Sequence, residues 1–345
     1  MTTLLVHGAA AWLGPGRVVE DGAVVIEGER IAWVGPAGQA PPADQEAAGD
    51  WFLMPGVVDQ HVHLGLSDPR QVLHGGVTSV RDLGWPPRDI FPLVDISTGT
   101  DFDGPAVAAA GPMVTCAGGY PSRAPWAPPG TAVEVRGAEE AADAVARIAE
   151  LDPAVIKVTL NSDAGPTLTD AELLAVVGAA HDRRLRVTAH VQGRGQTERA
   201  LGAGVDELAH APWTERLGDD LIAGMARSVQ VVSTLDIHSY GRSTPELATA
   251  SDNVRRFHEA GGRVRYGTDL GNGPIPPGIH AREAQHLAAG GLTVHEVLVS
   301  MTARPLEEGT RADVVGLAGS PLDELDALDR PRVVVRAGRV ARLDR

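Results

Sequence analysis

The stretch Pro55-Gly56-Val57-Val58-Asp59-Gln60-His61-Val62-His63 decides how the chain is organised. It is a short apolar run that begins after a proline and ends in two histidines, which predicts a buried strand with polar side chains at its end. Because side chains alternate across a strand, His61 and His63 point to the same face, as two ligands of one metal ion must. Residues 1–53 before this stretch contain short strands and tight turns.

After this stretch, residues 54–303 have the pattern of repeated strand and helix units. Eight strands are predicted, at residues 56–63, 78–82, 106–115, 155–160, 186–191, 205–210, 229–235 and 264–269. Two helices begin with capping boxes, Thr169 to Glu172 and Thr293 to Glu296. Eight parallel strands are the number that closes a (β/α)8 TIM barrel of about 250 residues.

The last residues of the chain, 304–345, have the same strand and turn texture as residues 1–53. We therefore predict an α/β protein with two parts. Residues 54–303 form the TIM barrel, and residues 1–53 plus 304–345 form a small composite β-sandwich domain from both chain ends.

The composition argues against several kinds of partner and location. The formal net charge of −15 argues against nucleic acid or an anionic membrane as a partner. No apolar run is long enough to span a membrane, and residues 1–7 lack the basic region of a signal peptide. The single cysteine, Cys116, fits a reducing compartment, so the sequence predicts a cytoplasmic protein. A homo-oligomer is left open.

Only one of the thirty basic side chains is a lysine, Lys157, in the apolar run Ala154-Val155-Ile156-Lys157-Val158. A desolvated amine can lose its proton and act as a nucleophile, whereas a guanidinium stays charged. One such use is reaction with carbon dioxide, which gives a carbamate able to bridge two metal ions. The alternative is a lysine at a strand end whose amine reaches solvent.

Polar side chains occupy the ends of five predicted strands, where a TIM barrel places its active site. They are His61, His63, Lys157, His190, His210 and Asp269. Each has a structural alternative: a lone strand histidine is often a core residue, and Asp269 before Leu270-Gly271 could cap a turn. Their common position at strand ends favours a single metal site.

These residues give the chain its resemblance to the amidohydrolase superfamily. The matching motifs are residues 55–63, Lys157, Thr188-Ala189-His190, Glu207-Leu208-Ala209-His210 and Tyr266-Gly267-Thr268-Asp269. The sequence is most similar to the imidazolonepropionase- and prolidase-like members, which use a carboxylated lysine. The resemblance implies two divalent metal ions, with His61, His63 and Asp269 on one, His190 and His210 on the other, and the carbamate of Lys157 between them. Zinc is the expected metal.

The implied activity is hydrolysis of a C–N bond in a small amide, cyclic amide or imide, or dipeptide-like substrate by metal-activated hydroxide, with Asp269 as the catalytic base. A lactone or carbamate would suit the same chemistry. Related deaminases commonly carry a glutamate three residues after the strand-five histidine, where this chain has Gly193. Hydrolysis is therefore favoured over deamination. A deaminase is kept as the enzymatic alternative, and a non-catalytic metal-binding paralogue is the alternative outside enzymes.

Aromatic and polar residues after the strand ends are predicted to contact the substrate. The candidates are Arg81, Trp85, Tyr120, Arg123, Trp126, Trp213 and His238, with Tyr240 as a further wall residue. Arg123 could pair with a substrate carboxylate. It lies in the Gly- and Pro-rich loop 117–130, which is long for a connection in a barrel and is the predicted lid.

Overall fold

Strands occupy both ends of the chain, and the α-helices lie between them. The structure, a computed structural model, describes residues 2–344. The first seven strands are β1 (Thr3–His7), β2 (Ala10–Gly14), β3 (Arg17–Glu20), β4 (Gly22–Glu27), β5 (Arg30–Pro36), β6 (Gln45–Ala48) and β7 (Phe52–Pro55). The last three are β18 (Val314–Leu317), β19 (Pro331–Arg336) and β20 (Arg339–Leu343).

Ten strands and nine helices are described between these ends. The strands are β8 (Val57–Val62), β9 (Val77–Asp82), β10 (Ala106–Ala109), β11 (Met113–Cys116), β12 (Ala132–Val135), β13 (Ile156–Asn161), β14 (Val187–Gln192), β15 (Glu207–Leu208), β16 (Gln230–Val232) and β17 (Arg263–Arg265). The helices are α1 (Pro69–His74), α2 (Pro87–Ser97), α3 (Gly137–Ala149), α4 (Asp170–His181), α5 (Gln196–Gly202), α6 (Asp219–Ser228), α7 (Pro245–Glu259), α8 (Ala281–Ala289) and α9 (Val294–Met301). None of these helices has the length and apolar character needed to cross a bilayer.

The terminal strands form two sheets. One has the order β5-β4-β1-β6, and the other has the order β20-β19-β18-β7-β2-β3. In the second sheet β7 is antiparallel to β18 and parallel to β2, so it joins strands from both ends of the chain. Side chains from both sheets share one buried apolar cluster, which includes Val6, Val24, Ile26, Leu53, Val314 and Val335. Only Gly56 separates β7 from β8.

The strands of the middle segment are parallel. They pair in the orders β8-β9-β10 and β12-β11-β13-β14-β15-β16-β17. The segment after β17 returns to β8: the amide of Gln60 donates to the carbonyl of Tyr266 at 3.1 Å, and the amide of Asp269 donates to the carbonyl of His61 at 2.8 Å. The ends of the first and last predicted strands of this segment therefore lie side by side.

Strand β13 shows how the parallel sheet separates two environments. All six of its residues are buried. Ile156, Val158 and Leu160 belong to the large apolar core, which also contains side chains of helices α3 and α4. The alternate residues Lys157 and Asn161 line a cavity at the other face of the sheet.

The strand pattern differs from the prediction in several places, and the predicted strands 229–235 and 264–269 contain only the three-residue strands β16 and β17. The predicted strand 106–115 is two strands, because the chain bends at Gly111-Pro112 and β10 pairs with β9 while β11 pairs with β13. The segment after the predicted lid contains β12, which was not predicted and pairs with β11. Predicted strand 205–210 contains only the two-residue strand β15. Both predicted capping boxes, on α4 and α9, are confirmed.

Candidate metal centre and its cavity

The first two candidate ligands lie at the end of β8 and present their Nε2 atoms to Asp269. The Nε2 atoms of His61 and His63 are 3.2 Å and 3.3 Å from Oδ1 of Asp269. On the other side of each ring, Nδ1 donates to a carbonyl: His61 to Ala209 at 2.8 Å and His63 to Gly84 at 3.1 Å. Because a carbonyl only accepts, Nδ1 of each ring carries a proton, and Nε2 is the ring atom that faces Asp269 and that a metal ion would take.

An unusual backbone conformation directs the carboxylate of Asp269 toward His61 and His63. Its φ is +56°, a left-handed value that aspartate tolerates better than most residues. Its second oxygen, Oδ2, accepts a hydrogen bond from Asn272 at 2.9 Å. Although burial opposes ionisation, the neighbouring His61 and His63 hold the pKa of Asp269 below its usual value. The carboxylate is therefore charged and available as a ligand or a base.

Lys157 lies in the interior beside this group. Lys157 is 1% exposed, and its Nζ has no hydrogen-bond partner in the part of the chain that the structure describes. Burial lowers the pKa of the amine to about 7. A substantial fraction of the amine is then neutral near pH 7, which is the form that reacts as a nucleophile. An amine that reached solvent, the alternative for a strand-end lysine, would not be buried in this way.

The remaining two histidines complete the cluster. The ring centroid of His210 lies 4.5 Å from that of His61 and 4.8 Å from that of His190. Nδ1 of His210 is 2.9 Å from the hydroxyl of Thr234. Burial lowers the pKa of His190 to about 3 and that of His210 well below its usual value, so both rings are neutral, as metal ligands must be.

The buried atoms of this cluster fit divalent metal ions. His61 Nε2, Lys157 Nζ and Asp269 Oδ1 are all buried and have no hydrogen-bond partner among the described residues, 2–344. Such atoms are costly unless a group not yet counted satisfies them. The donor atoms of His61, His63 and Asp269 also lie within 4.8 Å of one another, which suits one ion.

A cavity of about 460 Å³ opens above the cluster. Four of the seven predicted substrate contacts line it, namely Tyr120, Trp126, Trp213 and His238, together with Tyr240. Leu66, Met113, Asn161, Gln192, Ile237 and Asn272 also line it and were not predicted. Strand alternation could have identified two of these, since Asn161 follows Lys157 by four residues and Gln192 follows His190 by two.

The other three predicted contacts lie outside the cavity lining. Arg81 donates to Glu207 and to the carbonyl of Gln60. Trp85 packs against Gly65, and Arg123 is exposed.

The fold and the site together define a metal-binding hydrolase. The sequence profile of the amidohydrolase family matches residues 52–317, so the chain belongs to the amidohydrolase family. It is accordingly an enzyme that hydrolyses carbon–nitrogen bonds other than ordinary peptide bonds of proteins. The resemblance found in the sequence is confirmed.

Three known proteins are similar to the chain to different extents. It is 29% identical over 331 residues to an uncharacterized protein of Mycobacterium tuberculosis, covering 86% of this chain and 87% of that one. A 49-residue match to the imidazolonepropionase of Arthrobacter sp. strain FB24 is 61% identical but covers 14% of this chain and 12% of the relative. The crystal structure of a Xaa-Pro dipeptidase with bound methionine superposes with a TM-score of 0.82 at 21% identity, over 98% of this chain and 99% of the other.

Proposed function

We propose that the protein is a binuclear metal-dependent amidohydrolase that cleaves a C–N bond in a small amide, cyclic amide or imide, or dipeptide-like substrate. The observation that carries the proposal is that three buried atoms on His61, Lys157 and Asp269, which line one cavity, have no hydrogen-bond partner within residues 2–344. In this proposal His61, His63 and Asp269 would hold one ion, and His190 and His210 would hold the other. Lys157, as its carbamate, would be a ligand shared by both ions, and zinc is the expected metal.

The metal ions, when bound, lower the pKa of water and polarise a carbonyl group. The protein contributes orientation and proton transfer. The carbonyls of Ala209 and Gly84 fix the rings of His61 and His63, so their lone pairs need no reorganisation during turnover. Asp269 accepts the proton of the attacking water and delivers it to the leaving nitrogen.

We also propose that the parallel strands form a closed barrel and that the terminal sheets form a separate domain. The bonds from Gln60 to Tyr266 and from Asp269 to His61 support closure of the parallel strands into a TIM barrel over residues 54–303. The apolar cluster shared by the two terminal sheets supports a β-sandwich domain over residues 1–53 plus 304–345. Location in the cytoplasm and the oligomeric state remain predictions.

Deamination is less compatible with the loop that follows β14. Gly193 has a φ of +96°, and a β-carbon at this position would collide with the hydroxyl of Ser162. The glutamate that deaminases of this kind place there would therefore require the loop to move. Release of ammonia from amino-heterocycles by the wild-type protein, with Lys157 unmodified, would favour the deaminase instead.

The decisive experiment is the metal content of the Lys157→Ala variant. We expect two zinc ions per wild-type chain and fewer in the variant, because the bridging ligand is lost. Arg183→Ala, a change in an exposed side chain, is the control. One tightly bound ion per chain, unchanged in Lys157→Ala, would contradict the binuclear site. Hydrolysis of small amides, cyclic imides, N-acyl amino acids and Xaa-Pro dipeptides by the zinc-loaded protein tests the reaction.

A further inference from the structure

Two tryptophan rings line the cavity beside the candidate metal centre. The centroid of Trp126 lies 4.9 Å from that of His63 and 6.2 Å from that of Tyr120. The centroid of Trp213 lies 5.5 Å from that of His210 and 4.5 Å from that of His238, with an interplanar angle of 34° to the His238 ring. Because His63 and His210 are proposed ligands of different ions, a flat group held above the centre can contact both indole rings.

The polar groups of the cavity outside the six proposed ligands are uncharged. They are the carboxamides of Asn161, Gln192 and Asn272, the phenols of Tyr120 and Tyr240, and the imidazole of His238. Burial lowers the pKa of His238 to about 4, so its ring is neutral near pH 7. Its Nε2 is buried and has no hydrogen-bond partner among residues 2–344. These groups can donate to or accept from a neutral molecule.

The guanidinium groups close to the cavity are already bound elsewhere or lie outside it. Arg81 is paired with Glu207, whose side chain is 2% exposed. Arg282, which lies next to Gly241, donates to Asp236 at 3.0 Å and 3.2 Å. Arg123 is exposed and does not contribute to the lining. A carboxylate held against this aromatic wall, away from the proposed metal ions, would therefore lose its hydration without gaining an ion pair.

We propose that the substrate is an uncharged amide bearing a flat aromatic or heteroaromatic group, which packs against the rings of Trp126 and Trp213 and is contacted by Nε2 of His238. This inference rests on the proposed function for the reaction and narrows the substrate class. Amides with a carboxylate remote from the scissile bond, including free dipeptides, are poor substrates under this proposal.

Three synthetic amides test the two parts of the inference. Acetanilide is aromatic and neutral, N-cyclohexylacetamide is neutral without an aromatic ring, and 4-acetamidobenzoate carries a carboxylate far from the amide. We expect zinc-loaded wild-type protein to bind acetanilide at least about ten-fold more tightly than either of the others in calorimetric titrations. Trp213→Ala should remove most of this preference, whereas Trp33→Ala, in a terminal strand, should keep it.

A cation placed at the mouth of the cavity provides a second test. Leu66 lines the cavity and is 42% exposed, so a polar replacement there does not disturb the core. We expect Leu66→Arg to improve binding of 4-acetamidobenzoate relative to acetanilide by about ten-fold, as a new ion pair would. Leu66→Gln, which is polar but uncharged, should not. If the affinity for 4-acetamidobenzoate relative to acetanilide is unchanged in Leu66→Arg, a cation already binds the carboxylate in the wild type, which overturns the proposal.

Failure of this inference can be told from failure of the proposed function. Equal or tighter binding of 4-acetamidobenzoate or N-cyclohexylacetamide by the wild-type protein overturns the substrate class, even if the amides are hydrolysed. Absence of binding of all three at millimolar concentration also overturns it. Preferred binding of acetanilide without hydrolysis of any amide supports the substrate class and contradicts the hydrolytic function.

Discussion

The backbone of Asp269 determines both the position of the residue and the direction of its carboxylate. Its amide donates to the carbonyl of His61, which places the aspartate against the strand that carries two ligands. Its left-handed conformation then turns the carboxylate back toward the Nε2 atoms of His61 and His63. One carboxylate oxygen faces these rings, and the other is held by Asn272. A base that is oriented before substrate arrives needs little rearrangement in the transition state.

The proposed base role predicts the behaviour of Asp269→Asn. The amide is nearly the same size as the carboxylate but cannot accept and deliver a proton. We expect turnover to fall by about two to four orders of magnitude, with most of the zinc retained. Steady-state rates and metal analysis of the same preparation measure both quantities. Asp182→Asn, in an exposed residue after α4, is the control, and near-normal turnover in Asp269→Asn would remove the base role.

The lowered pKa of His238 leads us to expect that the stability of the protein depends on pH. Burial lowers its pKa to about 4 in the folded chain, whereas an unfolded histidine titrates near about 6.5. Between these values the unfolded state binds a proton that the folded state does not, so stability decreases as the pH falls from about 6.5 to about 4. We expect the free energy of unfolding of metal-free His238→Gln to decrease less over this range than that of the wild type. Urea titrations at several pH values, with His258→Gln as the control, test this, and equal losses would contradict it.

The side chains of the centre were more predictable than those of the cavity wall. Strand alternation and barrel topology place His61, His63 and Lys157 on one face without any knowledge of loops. Arg81 follows the same alternation, but its ion pair with Glu207 depends on a strand far along the chain. Loop residues such as Arg123 have no periodicity, so their direction could not be predicted.

At the level of elements, helix α8 holds the loop that carries His238 and Tyr240. Glu283 on α8 is fully buried and accepts hydrogen bonds from the amides of Leu235 and Asp236 at 2.9 Å and 2.8 Å. The carboxylate of Asp236 is bound in turn by His280, Arg282, His286 and Ser239. The position of His238 in the cavity therefore depends on a helix that does not line it.

Glu283→Ala should release the loop that carries His238 from helix α8. Each buried amide left without a partner costs about 1–3 kcal/mol, so we expect a loss of about 2–5 kcal/mol in the free energy of unfolding. The KM for an amide substrate should rise, because His238 is no longer fixed. Glu296→Ala, which removes the exposed capping box of α9, should cost only about 1 kcal/mol and leave KM unchanged. An unchanged KM in Glu283→Ala would contradict the coupling.

Element prediction was most accurate where local signals were strong. The capping boxes predicted the starts of α4 and α9 because both partners lie within four residues. The break between β10 and β11 was missed, since the apolar run continues through it while the pairing partner changes from β9 to β13. Strand pairing is a long-range property that periodicity does not contain.

For the molecule as a whole, Arg336 links the terminal strands to the middle segment. It is 2% exposed, lies on β19, and donates to the carbonyls of Ser97, Gly99 and Phe102, which follow or end α2. Its replacement in Arg336→Met leaves these acceptors without their donor, so we expect the free energy of unfolding to fall by about 2–4 kcal/mol. Arg332→Met, an exposed change on the same strand, should alter it by less than about 0.5 kcal/mol. Urea titrations of both variants measure the difference, and equal stabilities would show that the link contributes nothing.

The central place of β7 has a consequence for synthesis on the ribosome. The nascent chain supplies β2 for one edge of β7 at once, but the other edge stays open until Val314–Leu317 has emerged. An open edge can pair with strands of other chains. Since only Gly56 separates β7 from the strand that carries His61, the support of the metal centre is completed at the end of translation. A messenger truncated before the codon for Val314 yields a chain that exposes this edge permanently, and such a product is a substrate for chaperones and proteases.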